Sequence, residues 1–368
     1  MKIIISGGGT VGHVTPGIAI AETVLDYDKE SKILFIGREG GDENNVIVRH
    51  GFAMETLPIH SIERRITFKN IKNAAEIVTS LKKAKKIIKN FSPDVVVGTG
   101  GYVCWPVIKA AQSLNIPTVM HESNAYPGLA TRMLSKKCDR MLLNFAASAQ
   151  AFKRKDNLVV VGNPLLNDLI NQTKAQARRR LNIPQSSFLI VSFGGSGGAD
   201  VLNKSIISLM QNYSSKVPRI THIHATGKKY YNQISSEHPK FAKGDNGCYI
   251  YPFIDDMPTY LLAADVAICR CGAMTLSEVA KSEVVPILIP SPNVTDNHQY
   301  KNGKIFVDAN AALMIEEHEL NDRTLLDAVR HLESNPMLRK RMTKNLSKFT
   351  RANCRQLILD EICSLISK

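Results

Sequence analysis

The sequence predicts an α/β protein built from two doubly wound parallel-sheet domains that face each other across a cleft. Three observations carry this expectation. Strand-sized apolar runs alternate with helical stretches along nearly the whole chain. The runs are continuous, as in Ile3-Ile4-Ile5 and Val95-Val96-Val97, which suits strands covered by helices on both faces. Each half also repeats one plan: a strand, a glycine cluster, then a helix.

Taken in order, the expected strands of the first half are Lys2–Ser6, Lys32–Gly37, Asp94–Gly98, Thr118–His121, Arg140–Leu143 and Leu158–Val161. Those of the second are Phe188–Phe193, Ile220–Ala225, Tyr249–Tyr251, Val266–Cys269 and Val285–Ile289. The turn-forming tripeptide Gly162-Asn163-Pro164 separates the sets. The expected domains are therefore 1–161 and 162–345. A closing segment, 346–368, carries a helix from about Asn353 to Ser367 that packs back on the first domain.

Composition narrows the function classes. The chain has 368 residues, 44% hydrophobic and 22% charged, which excludes wholesale disorder. No apolar span reaches the roughly 18 residues a membrane helix needs. A strand begins at once with no leader pattern, so a cytosolic location is expected. Seven scattered cysteines without a CxxC pair read as reduced thiols. Cys269 and Cys271 lack two further ligands for zinc. Asp26-Tyr27-Asp28 spells DxD at the end of a surface helix and is not expected to bind metal. The formal charge is +14, and Ser61–Lys89 alone holds nine basic and two acidic residues. Such a surface favours phosphates, nucleic acid or an anionic membrane.

Two glycine loops concentrate the chemistry. Gly7-Gly8-Gly9-Thr10-Val11-Gly12-His13 follows the first strand and opens a helix expected to start near Pro16. Glycines let backbone approach a phosphate, and a helix N-terminus offers free amides and a positive dipole end. Gly7, Gly9 and Gly12 also fit GxGxxG, so a dinucleotide site with Glu39 as ribose ligand stays open, as does a plain tight turn. Gly194-Gly195-Ser196-Gly197-Gly198 follows another strand. It matches GxSxG, and Ser196, Glu278 and His298 stand in hydrolase order. A phosphate cradle explains both loops with one chemistry.

Further polar clusters sit at strand ends: Thr99-Gly100-Gly101-Tyr102, His121-Glu122-Ser123-Asn124, and the stretch from Arg270 to Glu278. Parallel sheets place ligands there. Gln299 and Asn302, three apart on a helix, are expected to share a face and grip sugar hydroxyls.

Seven ordered blocks then carry a resemblance over nearly the whole chain: GGGTVGHVTPG at 7–17, VVVGTGGYVCWPV at 95–107, HESNAYPG at 121–128, GNP at 162–164, FGGSGGADVLN at 193–203, FIDDMPTYLLAADVAICRCGAMTLSEVA at 253–280 and PSPNVTDNHQYKN at 290–302. The chain resembles the MurG family of UDP-N-acetylglucosamine transferases, glycosyltransferase family 28. That resemblance implies a GT-B architecture of two Rossmann-like domains, acceptor in the first and donor in the second. It implies inverting GlcNAc transfer from UDP-GlcNAc to undecaprenyl-diphosphate-linked muramoyl-pentapeptide, with no metal and no cofactor. It carries donor contacts onto Thr10, Val11, Gly12, Asn124, Ser196, Ile254, Ala273, Met274, Thr275, Leu276, Ser277, Glu278 and Gln299, with Asn302 nearby. Ile254 would meet the uracil and Glu278 the ribose diol. The chain departs from the pattern twice: Val11 replaces a glycine, and Leu165-Leu166 stand where an arginine is usual. A relative using another lipid-linked acceptor, or a non-catalytic nucleotide-sugar-binding subunit, is the alternative.

Inverting transfer needs a general base and stabilisation of the departing diphosphate. His13 is the expected base, since an imidazole with ordinary pKa near 6.5 suits proton removal near neutrality. Capping or phosphate binding is its competing role, and Glu122 is the reserve base. The basic segment is expected to hold the protein peripherally on the cytoplasmic membrane face. Ile71, Ala74, Val78, Leu81 and Ile88 would face the core, and Lys82, Lys83, Lys85, Lys86 and Lys89 the anionic surface, with Arg64 to Phe68 adding charge and apolar contact. Nucleic acid is not expected, because no aromatic interleaving accompanies the charge.

Overall fold

The computed structural model describes residues 1–60, 68–166 and 172–366, with backbone alone for 68–75. The chain divides into two compact units, Met1–Leu166 with Arg351–Lys368, and Asn167–Thr350.

The first unit holds a seven-stranded sheet: β1 (Lys2–Ser6), β2 (Lys32–Arg38), β3 (Ala53–Leu57), β4 (Val95–Gly98), β5 (Thr118–Glu122), β6 (Arg140–Leu143) and β7 (Leu158–Val160). Its spatial order is β3-β2-β1-β4-β5-β6-β7, and every pairing is parallel. Side chains alternate between two buried faces, as a doubly covered sheet demands. Ile4, Val96, Met120 and Met141 pack under the helices Phe68–Phe91 and Cys104–Ser113. Ile3, Ile5, Val95, Val97 and Val119 pack on the opposite face, against the helices Val11–Tyr27 and Cys354–Ile366.

The second unit holds six parallel strands: β8 (Phe188–Phe193), β9 (Ile220–Ala225), β10 (Cys248–Tyr251), β11 (Val266–Cys269), β12 (Val285–Leu288) and β13 (Leu313–Met314). Their order is β10-β9-β8-β11-β12-β13. In each sheet the chain winds outward from one central strand and then returns to its other side. That reversal falls between β1 and β4 in the first unit and between β8 and β11 in the second. Open α/β sheets take their ligands beside the carboxyl ends of the strands at such a reversal. Both glycine loops leave those strands.

Several expectations are corrected. The first unit runs to Leu166 and resumes at Arg351, beyond the expected limits of 161 and 346. Residues 162–166 stay with it because the Gly162 carbonyl accepts His121 Nε2 at 2.9 Å and the Leu165 carbonyl accepts Arg355 Nε at 3.0 Å. The edge strands β3 and β13 were not expected, being short and poor in continuous apolar runs. Val78 is 53% exposed, while Leu81, Ala84 and Ile88 pack with the core. The buried stripe therefore lies one position away from Val78, on Ile77. The expectations for Arg64, Arg65, Ile66 and Thr67, and for the side chains of Phe68, Ile71 and Ala74, lie outside the described residues. Asp28 pairs with the N-terminal amine at 2.9 Å and Asp26 with Arg355 at 3.7 Å, so the DxD acids tie chain ends together.

Candidate functional site

In the first unit the helix begins at Val11, not near Pro16. The glycines complete the turn and Thr10 is already extended at the cap, so helix starts early. Pro16 then sits inside, where it cannot donate back to the Gly12 carbonyl. Thr99 Oγ1 donates to the next carbonyl along, that of His13, at 2.7 Å. Val11 is 38% exposed, so its side chain displaces nothing in the core.

His13 is held by its surroundings. Its Nδ1 lies 3.1 Å from the Gly8 carbonyl and 3.2 Å from Thr10 Oγ1. A carbonyl can only accept, so Nδ1 carries the proton in that contact and the lone pair of the neutral ring is on Nε2. The motif after β4 forms the bed for this arrangement. A Cβ on Gly101 would stand 2.0 Å from the Gly8 oxygen, and one on Gly100 would stand 2.7 Å from His13 Cδ2. Both residues also have positive φ, at 83° and 110°.

One group in this loop was missed in the sequence. Glu43, only 5% exposed, returns from the segment after β2, and its Oε1 accepts the Gly9 amide at 2.7 Å. Arg38 Nε lies 3.7 Å from that oxygen. An internal carboxylate thus occupies the amide that a phosphate was expected to claim. Glu43 sits in no motif, and only the fold returns it to the loop.

Glu122 ends β5 and is 4% exposed. Burial pushes its carboxyl up, opposed by hydrogen bonds from Asn124, Thr131 and Gly128. Its Oε1 accepts both the backbone and side-chain N–H of Asn124, at 2.9 and 3.0 Å. This geometry gives Glu122 the job of aiming Asn124 and leaves it badly placed as a base. His121 beneath is buried and its imidazole falls to about 4 through desolvation.

In the second unit, the loop Gly194–Gly198 leads into the helix Asp200–Asn212. Its Ala199 cap offers no side chain to the first amides. Ser196 is exposed, and nothing stands within 4 Å of a Cβ placed on Gly195 or Gly197. Gly198 by contrast touches the floor: a Cβ there would lie 2.2 Å from the Thr226 carbonyl. An open hollow of about 350 Å³ adjoins the loop, lined by Gly194, Gly198, Asp200, Arg270, Ser291 and Gln299, among others.

Gln299 spans two strand ends. Its Oε1 accepts Cys271 N–H at 3.2 Å and Ser291 N–H at 2.9 Å, which assigns the amide and leaves Nε2 as its donor end. Asn302 corrects an expectation. It is 0% exposed and donates to the Cys271 carbonyl at 3.2 Å, so it supports the loop from below and cannot reach a sugar. Arg270 is spent on the carbonyls of Ile289 and Pro290 and on the Glu317 carboxylate, bracing the same loops.

Ile254 is 6% exposed after β10. On the helix Ala273–Lys281, Ala273, Met274, Leu276 and Ser277 are buried, and Thr275 and Glu278 partly exposed. Desolvation pushes the Glu278 carboxyl up to about 7. Neither Ile254 nor Glu278 lines the hollow beside Gln299. The hydrolase order fails on geometry, because His298 Nδ1 lies against the Thr295 carbonyl at 2.9 Å, where an orienting acid would be needed.

Comparison with known proteins agrees with this architecture. Residues 3–143 match the glycosyltransferase family 28 N-terminal domain and residues 189–358 its C-terminal domain. A protein of Acetivibrio thermocellus named UDP-N-acetylglucosamine--N-acetylmuramyl-(pentapeptide) pyrophosphoryl-undecaprenol N-acetylglucosamine transferase is 37% identical, covering 98% of this chain and 97% of its own. A protein of the same name from Thermoanaerobacter sp. strain X514 is 35% identical over 99% of this chain and all of its own. Among solved structures, Acinetobacter baumannii MurG superposes with a TM-score of 0.77 at 23% identity, covering 99% of both chains. Neisseria meningitidis UDP-GlcNAc 2-epimerase bound to UDP-GlcNAc superposes at 0.67 with 13% identity, over 99% of this chain and all of that one. At such identities the likeness is one of fold.

Proposed function

The chain belongs to glycosyltransferase family 28, and from that premise we propose that it transfers GlcNAc from UDP-GlcNAc to the C4 hydroxyl of the muramoyl sugar in undecaprenyl-diphospho-N-acetylmuramoyl-pentapeptide, forming a peptidoglycan precursor. The near full-length likeness to relatives named for that reaction supports the substrates. The observation that carries the reading is the second glycine loop, whose uncapped helix amides open onto free space beside Gln299.

In this reading the acceptor hydroxyl attacks the anomeric carbon while His13 Nε2 takes its proton. The bond to UDP breaks on the opposite face, its electron pair passes to the diphosphate, and configuration inverts. The amides of Gly195–Gly198 and the helix they open stabilise that charge without a metal. Ile254 meets the uracil, Glu278 the ribose diol, and Gln299 Nε2 the GlcNAc. Thr10, Val11, Gly12, Asn124, Ser196 and Ala273–Ser277 complete the donor contacts, with Asn302 behind them. Lys82, Lys83, Lys86 and Lys89, exposed on one helix around Val78, hold the protein on the cytoplasmic membrane face. Among the described residues no helix is long and apolar enough to cross a membrane.

The test is UDP release from UDP-GlcNAc with and without the lipid-linked acceptor, in buffer containing EDTA, with the product anomer read by NMR. Release that requires acceptor, survives EDTA and gives inverted product is expected. Acceptor-independent release, retention, or loss of activity in EDTA would contradict the corresponding part.

A further inference from the structure

We propose that Glu43 is a positioning residue for His13 and acts through the single peptide bond between Gly8 and Gly9. The N–H end of that amide donates to Glu43 Oε1 at 2.7 Å, and its C=O end accepts His13 Nδ1–H at 3.1 Å. In a trans peptide the two ends point opposite ways, so carboxylate, amide and imidazole form one hydrogen-bonded series. A carboxylate on the N–H end polarises the amide and makes its carbonyl a stronger acceptor. The effect on the ring is that of a carboxylate bonded directly to a histidine: one tautomer is held, and the protonated ring is stabilised. The inference rests on the reading of His13 as the base, since it assigns what sets that base's tautomer and strength.

The series is fixed from several sides. Glu43 is buried, and its carboxylate would meet a Cβ on Gly41 at 2.8 Å. The Gly8 carbonyl is pressed onto Gly101, and the Gly8 amide faces the Gly100 carbonyl at 3.4 Å. Other groups share the field. Arg38 Nε faces Glu43 Oε1 from 3.7 Å. The Tyr102 ring covers Gly9, and burial holds its phenol neutral. Cys104, beneath, donates to the carbonyls of Ser6 and Gly100, and burial raises its thiol to about 11. Glu122 lies close enough to act on Cys104. Thr10 Oγ1 touches the same Nδ1 and is the competitor, because by donating there it would favour the other tautomer.

The experiment is NMR of 15N-histidine-labelled protein without substrates, with His13 assigned by its loss in His13→Gln. The neutral wild-type ring is expected as the Nδ1–H tautomer. Glu43→Gln keeps an acceptor for Gly9 but removes the charge. It should keep the tautomer and lower proton affinity at His13 by several-fold to about tenfold. The acid limb of the kcat–pH profile should move by the same amount. Glu43→Ala should lose the tautomer preference, and Thr10→Val should not. A wild-type Nε2–H tautomer, or an unchanged His13 titration in folded Glu43→Gln, would overturn the proposal. If His13→Ala retains turnover, the base reading falls while the tautomer still tests the relay. If turnover is lost but the titration is unmoved by Glu43, the base stands and the relay falls.

Discussion

The two glycine loops leave equivalent strands, β1 and β8, at the same reversal of their sheets, yet the space above them is used differently. Above the first, Glu43 takes the Gly9 amide, Tyr102 covers Gly9, and His13 lies over Gly100 and Gly101. Above the second, Gly195 and Gly197 face open space and Ser196 is exposed. A strand–glycine–helix pattern makes a position where an anion can sit. Whether one does depends on which side chain the rest of the fold returns to it. The first loop holds an internal carboxylate on its Gly9 amide, which fits the proton chemistry proposed for it, while the second keeps open space, which fits the phosphate cradle proposed there.

The largest expected break in this comparison comes from the first loop. His13→Ala should lower kcat by on the order of 10²–10⁴ while leaving UDP affinity nearly unchanged, because the base acts in the transition state. Comparable losses in both quantities, by calorimetry and steady-state kinetics, would return His13 to a phosphate-binding role.

Gly198→Ala attacks the second loop. Positive φ of 73° and a Cβ placed 2.2 Å from the Thr226 carbonyl force the loop to shift. UDP affinity should drop at least tenfold, roughly 1.4 kcal/mol or more. Stability should fall as well, and thermal unfolding measures it. Ser196→Ala, at the exposed tip, should weaken UDP only a few-fold and leave the fold untouched.

Glu278 sharpens the comparison through pH. Its carboxyl is raised from an ordinary 4.5 to about 7 by burial. Between those values the folded protein keeps a proton that the unfolded chain has released, so stability falls as pH rises through the window and the cost is complete above it. Glu278→Gln should therefore stabilise the ligand-free protein near pH 8, by on the order of 2 kcal/mol, and hardly at all near pH 4. If the ribose diol donates to the carboxylate, UDP binding near pH 6 should release protons, which calorimetry in buffers of different ionisation enthalpy detects. Gln299→Glu belongs beside it: the accepted bonds from Cys271 and Ser291 survive, the NH2 is lost, and UDP-GlcNAc should suffer more than UDP.

The smallest effect on catalysis is expected outside both loops. Replacing Lys82, Lys83, Lys86 and Lys89 with Gln should reduce co-sedimentation with anionic vesicles and spare UDP affinity, since each basic residue near such a surface adds about 1 kcal/mol. Unchanged co-sedimentation would make those lysines a solvated face.

Most of the strand framework was legible because buried parallel strands write themselves as continuous Val and Ile runs. The edges were not. Ala-Met-Glu-Thr-Leu of β3 alternates, and β13 has two residues, so neither produces that signal. Proline at helix starts suggested Pro16 as the opening of the first helix, but the glycine turn admits helix from Val11. At the sites, residue type and strand-end position pointed to His13, Ser196 and Gln299. They could not say that Asn302 faces inward or that Glu122 is spent on Asn124, because both follow from packing across residues distant in sequence. Glu43 lay furthest from reach, lacking a motif and depending on a return from the far side of β2.

The central claim is that the second loop binds the nucleotide diphosphate and the first moves the proton. Its most direct test is calorimetric titration of UDP into wild type, His13→Ala and Gly198→Ala under one set of conditions, with turnover measured on the same samples. The account predicts wild-type UDP affinity without turnover for His13→Ala, and weakened UDP affinity for folded Gly198→Ala. Loss of UDP binding in His13→Ala together with normal binding in folded Gly198→Ala would contradict it.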